Sequence, residues 1–164
     1  MMSTPALPAI LLLPVNFANP QHAERWHEIR NDDSVRVVSR TRKRIKIEEH
    51  RAWWAESAAS RTRRLYFIVA RVNNDVHPIG IARLDDRRSW TEVSLAVEVS
   101  WRRHGVGTAA LRLLKAEAEK YRLPPLGAVI QAANAASLRL FITNGYVLKK
   151  KGFVQVAYPT RRKS

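Results

Sequence analysis

"VSWRRHGVGTAALRLL", residues 99–114, holds two of the chain's six glycines one residue apart. An alternating run precedes them, a helical run follows, and Arg102, Arg103 and His104 stand immediately in front. A strand that turns through glycines into a helix start has a physical use. Unpaired N–H groups and the positive end of the helix dipole meet there. Without Cβ atoms, Gly105 and Gly107 let an anion approach those N–H groups, and the basic residues add positive potential. The stretch is not a Walker loop, because no Gly-Lys-Ser/Thr follows. It is not a GxGxxG fingerprint either, because Ala110 stands at the third position. On these residues alone a plain strand-to-helix turn stays open.

Working outward, "SWTEVSLAVEV" (89–99) alternates polar and apolar residues and predicts a strand entering the glycines. "TAALRLLKAEAEKY" (108–121) is the clearest helix, with Leu111, Leu114, Ala118 and Tyr121 on one face and Arg112, Lys115 and Glu119 on the other. "AVIQAA" (128–133) reads as a short strand. Asn134 then caps a helix through "AASLRLFIT" (135–143), which stops at Asn144-Gly145. "YVLKKKGFVQVAY" (146–158) closes the chain as a strand pair. Upstream, a buried first strand is expected near residues 9–13, then a helix over "ANPQHAERWHEIRN" (18–31). A second helix over "IEEHRAWWAESAA" (47–59) places Ile47, His50 or Arg51, Trp54 and Ala58 on its inner face. "RLYFIVARV" (64–72) and "HPIGIARLD" (77–85) are strands joined at "NND". The order β-α-α-β-β-β-α-β-α-β predicts a mixed α/β fold, with a central mixed sheet, an antiparallel meander and flanking helices. One domain over residues 1–164 is expected, with 1–8 and 159–164 flexible.

Composition narrows the classes of function. The chain has 164 residues, of which 46% are hydrophobic, enough for a sizeable core. It has no cysteine, which excludes disulfides and thiolate metal sites, and its five histidines show no HExxH spacing, so no metal is expected. "ALPAILLLPV" lacks a basic leader and a cleavage site and falls short of the roughly 20 apolar residues of a membrane span. A cytoplasmic protein without membrane contact is the expectation. The net charge of +15 attracts polyanions and repels polycations such as polyamines. The basic residues are dispersed, and no zinc finger, basic zipper or RNP-type aromatic pattern favours nucleic acid.

"RRHGVGTA" resembles the Q/R-x-x-G-x-G/A signature of the GNAT superfamily of N-acetyltransferases, with Arg102, Gly105 and Gly107 in the defined positions. "NAASLRLFITNGYVL" is similar to that family's second motif, through Asn134, Leu140, Gly145 and Tyr146. The resemblance covers essentially residues 9–156 and implies a GNAT-like fold and an acetyl-CoA-dependent transfer of an acetyl group to a primary amine. It implies a backbone around Val97–Val99 pairing with the pantetheine arm. It also implies N–H groups of Arg103, His104, Gly105, Val106, Gly107 and Thr108 holding the pyrophosphate, with Arg102 beside them and Asn134 bonding the pantetheine side. One departure stands out: Phe141 occupies the place of the family's frequent proton-donating tyrosine. Glu92, where several members carry a glutamate, is the candidate general base, because an amine must lose a proton to attack a thioester. Glu98 is the weaker competitor.

A narrower resemblance concerns the acceptor. "IRNDDSVR", "IEEHRAWW" and "IGIARLDD" look like the GNAT subset that acetylates nucleotide-linked amino sugars, through Arg30, Asn31, Glu49, His50, Trp53, Arg83 and Asp85. A sugar nucleotide needs cations for its diphosphate and a flat aromatic face, which Arg30, Arg83, His50 and Trp53 can supply. A protein amine, an aminoacyl-tRNA, and a GNAT-fold binding protein without turnover are the alternatives. Monomer and homodimer are both compatible with the sequence.

Overall fold

The computed structural model describes residues 7–151 and 154–159. At its centre "RLYFIVARV" forms β2 (Arg63–Val72), apolar on both faces because helices cover both. Tyr66, Ile68 and Ala70 enter one core cluster, and Leu65, Phe67 and Val69 enter a second on the opposite face. Asn73 and Asn74, at φ 52° and 74°, reverse the chain into β3 (Asp75–Asp86). Asparagine tolerates this left-handed geometry. β4 (Thr91–Val97) completes the antiparallel meander.

β1 (Ala9–Pro14) pairs antiparallel with β2, and β5 (Leu126–Gln131) runs parallel to β4. A parallel step needs a crossover, supplied by α4 (Val106–Lys120). β6 (Tyr146–Lys151) and β7 (Val154–Pro159) finish the sheet in the order β1-β2-β3-β4-β5-β7-β6. α1 (Pro20–Asn31) and α3 (Ile47–Ala59) pack Trp26, Ile29 and Trp54 on one face. On the other face α4 packs Leu111 and Leu114, and α5 (Ala135–Thr143) adds Phe141. Gly80 lies next to the irregularity in the β2–β3 ladder, where a Cβ would stand 2.5 Å from the Ala96 carbonyl. Only glycine fits that approach.

The mixed α/β fold, the meander and the closing strand pair are as expected, and several details are corrected. β1 is an edge strand and only partly buried, because β2 is its sole partner. β4 ends at Val97 rather than Val99, and residues 99–101 form a 3₁₀ turn. α4 starts two residues early, at Val106. Tyr121 caps α4 and turns outward, with the Arg64 guanidinium 4.0 Å from its ring centroid, instead of joining the inner face. α3 buries His50, Trp54 and Ser57, while Arg51 and Ala58 are exposed. A short helix α2 (Asp33–Arg36), capped by Asp32, follows α1. The expected flexible ends fall largely on residues 1–6 and 160–164, outside the described residues. Among the described residues no helix is long and apolar enough to cross a membrane, and no cluster could hold a metal ion.

Candidate functional site

β4 and β5 pair only at Thr91–Leu126 and Glu92–Gly127, and then diverge. The Thr91 N–H bonds toward β5, to the Pro125 carbonyl, and the Glu98 N–H bonds toward β3, to the Ile79 carbonyl. Ladder alternation therefore points the main chain of Leu95 and Val97 into the gap. The gap opens into a cavity of about 1200 Å³ that reaches from the glycine loop to α1 and α3.

At one end of the cavity stands the start of α4. Gly105 is its N-cap at φ 75°, following Arg103 at φ 62°. The first N–H groups of a helix have no intrahelical acceptor. None of the N–H groups of Arg103 to Thr108 donates to a protein acceptor among the described residues. This row of unspent donors, beside a dipole's positive end, suits a pyrophosphate. The two glycines serve different needs. Gly105 supplies the left-handed turn, and a Cβ there would meet nothing within 4 Å. Gly107 packs against α5, where a Cβ would meet the Leu140 methyl groups at 3.4 Å, an ordinary contact distance.

Neighbouring side chains brace this end. Arg102 donates through Nε to the Val97 carbonyl at 2.8 Å and through Nη2 to Ser34 Oγ at 2.8 Å, tying the end of β4 to α2. Asn134 caps α5 by accepting from the Ser137 N–H at 3.2 Å, and borders the cavity. Val99, exposed at 66%, and His104 are not on the cavity wall, whereas Val97, Arg102, Arg103, Gly105, Val106, Gly107, Thr108 and Asn134 are. Phe141 is buried there, edge-on to Tyr146 with centroids 5.0 Å apart. The phenylalanine offers no O–H. Burial raises the Tyr146 phenol above its ordinary value, and Tyr146 is not on the wall.

At the other end, Glu92 is 7% exposed rather than solvent-facing. Its Oε1 accepts from Arg40 Nη2 at 3.0 Å, and its Oε2 accepts from Arg87 Nε at 3.1 Å, with Arg87 Nη2 at 2.9 Å. Arg30, Trp53 and Arg83 border the same cavity. Arg83 Nε lies 2.7 Å from Asp85 Oδ2 but is not aligned as a hydrogen bond, so both atoms keep unmet capacity. Asp85 Oδ1 is held by Arg63 Nε at 3.0 Å. Arg30 Nη1 is buried without a partner among the described residues. Burial and the proximity of Arg83 and Arg36 lower the Arg30 guanidinium from its ordinary value. Burial also lowers Arg83, against the pull of Asp85. A cationic wall with unspent donors favours an anion.

Two predicted residues act structurally as well. Asn31 accepts from the Ile45 N–H at 2.8 Å and donates to its carbonyl at 2.9 Å, pinning the α2–α3 loop. His50 borders the cavity but is buried. Its Nε2–H donates to the Ala23 carbonyl at 2.7 Å, and its ring lies 4.8 Å from that of His27. Trp53 borders the cavity, and Trp54 packs in the core. Burial lowers His50 from its ordinary 6.5, with the Ala23 carbonyl opposing and His27 assisting. In the unfolded chain His50 binds its proton at higher pH than in the fold, so stability rises with pH across that window and falls on acidification below about 6.5. His50→Gln, which keeps a donor toward Ala23, is expected to shrink the loss of melting temperature between pH 7.5 and 5.5. Thermal unfolding at the two pH values checks this.

Arg40 and Arg87 escaped the sequence reading. Arg40 belongs to the basic run "VRVVSRTRKRIK", whose charge was visible but whose reach across 52 residues to Glu92 was not.

A family model described as "Acetyltransferase (GNAT) domain" matches residues 12–147. A comparison with curated proteins gave no match. Among solved structures, a domain from Methanocaldococcus jannaschii DSM 2661 is 19% identical, covers 92% of this chain and 97% of its own, and superposes with a TM-score of 0.81. A ribosomal alpha-N-protein acetyltransferase in complex with coenzyme A is 12% identical over 90% of this chain and 92% of its own, with a TM-score of 0.72. Spermidine N-acetyltransferase from Vibrio cholerae, solved with CoA and spermine, is 12% identical over 90% and 92%, with a TM-score of 0.71. At these identities the likeness is one of fold.

Proposed function

The chain belongs to the GNAT acetyltransferase family, and from that premise we propose that it acetylates a primary amine carrying an anionic group, best fitted by a nucleotide-linked amino sugar. It is an acyltransferase that uses acetyl-CoA. The observation that carries the finer reading is the wall of Arg30 and Arg83, with the buried Arg30 Nη1 unspent, in the same cavity as the open N–H row of residues 103–108.

The N–H groups of Arg103 to Thr108 hold the pyrophosphate, and the diverging edge of β4 at Leu95 and Val97 receives the pantetheine. When bound, acetyl-CoA supplies the activated acetyl thioester. The acceptor's ammonium gives a proton to Glu92, directly or through a water, which frees the nitrogen lone pair. That lone pair forms the C–N bond as the C–S bond breaks. The new amide nitrogen sheds its second proton, which would pass by way of water to the leaving thiolate, because Phe141 has none to give. Arg30 and Arg83 hold the acceptor's phosphates, and Trp53 offers its ring to the sugar or base. Enclosure in one cavity brings the nitrogen to the thioester without a second diffusional encounter.

Arg83→Ala is expected to raise the apparent KM for an amino-sugar nucleotide about tenfold while lowering kcat less, because it removes binding rather than proton transfer. Raising salt should mimic the substitution. Initial rates of thiol release across acceptor and salt concentrations check both. An equal fall in kcat and kcat/KM with no salt dependence would instead assign Arg83 to the chemistry.

A further inference from the structure

The two oxygens of Glu92 are not equivalent. Oε2 faces Arg87, accepting a hydrogen bond from Nε at 3.1 Å with Nη2 a further 2.9 Å ion-pair contact. Oε1 has one protein donor among the described residues, Arg40 Nη2 at 3.0 Å. Oε1, with one charged contact against two on Oε2, is the more available oxygen for a proton, and Arg40 covers it.

Arg40 is also the partner most easily moved. Its side chain is 62% exposed, against 47% for that of Arg87. The guanidinium therefore reaches solvent although its carboxylate partner is buried, and a multiply charged acceptor oxygen group competes with Glu92 for it directly. The loop backbone around Arg40 is held on both sides. Ser39 Oγ donates to the Val35 carbonyl at 2.6 Å, Arg36 Nη1 donates to the Arg42 carbonyl at 2.9 Å, and Asn31 grips Ile45. Arg30 Nη2 reaches the Thr41 carbonyl at 3.4 Å, next in the chain to Arg40, and Arg30 Nη1 is buried and unpartnered. An anion landing on Arg30 thus arrives beside Arg40, and only the Arg40 side chain has to turn.

We propose that Arg40 is a specificity-determining latch: it caps Oε1 of Glu92 until an acceptor's anionic group draws the guanidinium away, so that an anionic amine uncovers its own base. This rests on the reading of Glu92 as the base. The charged groups facing Glu92 are Arg40 from the α2–α3 loop, Arg87 from the β3–β4 turn, and Arg83 and Asp85 from β3, with Asp85 directly across the ladder. On the β5 side stands Gly127, without charge. Of these, Arg40 alone engages Oε1.

The test compares glucosamine with glucosamine 1-phosphate as acceptors for the parent chain, Arg40→Gln and Arg40→Lys, over a range of pH. The parent is expected to favour the phosphate by about tenfold or more in kcat/KM. Arg40→Gln should close that gap to about threefold by speeding the neutral amine, and should move the acid limb of its kcat/KM profile to higher pH. Arg40→Lys should restore part of both. If the parent transfers acetyl groups but Arg40→Gln changes both acceptors equally and leaves the acid limb in place, the latch is overturned and the transferase reading stands. If the parent acetylates neither amine while coenzyme A binds, the amino-sugar acceptor reading falls, and the latch with it.

Discussion

Replacing Glu92 by glutamine is expected to lower kcat about a hundredfold while leaving acetyl-CoA affinity nearly unchanged. The carboxylate stands at the end of the cavity opposite the glycine loop, where β4 begins. Glutamine keeps the size and an acceptor oxygen for Arg87, so the side chain still fits its buried position. It cannot take the ammonium proton. The acid limb of the rate profile should flatten together with the loss of rate. A parent-like kcat and an unchanged profile, in a variant with parent-like thermal unfolding, would make Glu92 a structural counter-ion. The base would then have to be sought at Asp85 or Glu98. Both are committed elsewhere: Asp85 is held by Arg63, and Glu98 is paired with Arg25 beyond the end of β4.

Gly105→Val is expected to weaken acetyl-CoA binding tenfold or more, a loss of about 1.4 kcal/mol or above. A β-branched residue at φ 75° is strained, and the loop relieves that strain only by rotating its peptide groups. Those are the groups whose N–H bonds would face the pyrophosphate on the proposed reading. Because the added Cβ meets no protein atom within 4 Å, the fold itself is not overpacked. Gly107→Val acts by another route: its Cβ meets Leu140 at ordinary contact distance, and the γ-methyl groups beyond it press on α5, whose cap Asn134 lines the same cavity. Calorimetry on both folded variants separates the mechanisms. Unchanged affinity in Gly105→Val would remove the N–H row from the cofactor's site.

The parts of this arrangement that were legible in the sequence are those set by local periodicity. The two-sided apolar run of β2, the stripe of α4 and the Asn144-Gly145 stop each encode their own geometry within a dozen residues. The glycine pair was legible as a candidate helix-start anion site, but the packing of Gly107 against Leu140 on another helix was not. Nor was the divergence of β4 from β5. That depends on a register between residues 35 apart, Thr91 with Leu126 and Glu92 with Gly127, and no local pattern states it. Glu92 could be picked out as a candidate, but alternation along β4 suggested solvent on its side. The α2–α3 loop, pinned through Asn31 and Arg36, covers that face and delivers Arg40. Asn31 itself was noticed for a resemblance, and its grip on Ile45 appears only in three dimensions.

The most direct measurement of the central claim is thiol release from acetyl-CoA across a panel of acceptors: amino-sugar nucleotides, free amino sugars, lysine and N-terminal peptides, spermidine and aminoacyl-tRNA. Mass spectrometry identifies the acetylated product. Turnover should be fastest with a primary amine linked to a phosphate or diphosphate, should weaken as salt rises, and should be lost in Glu92→Gln. Efficient acetylation of spermidine or of uncharged peptides, with every amino-sugar nucleotide inert, would contradict the anionic-acceptor reading and leave the acetyltransferase assignment in place.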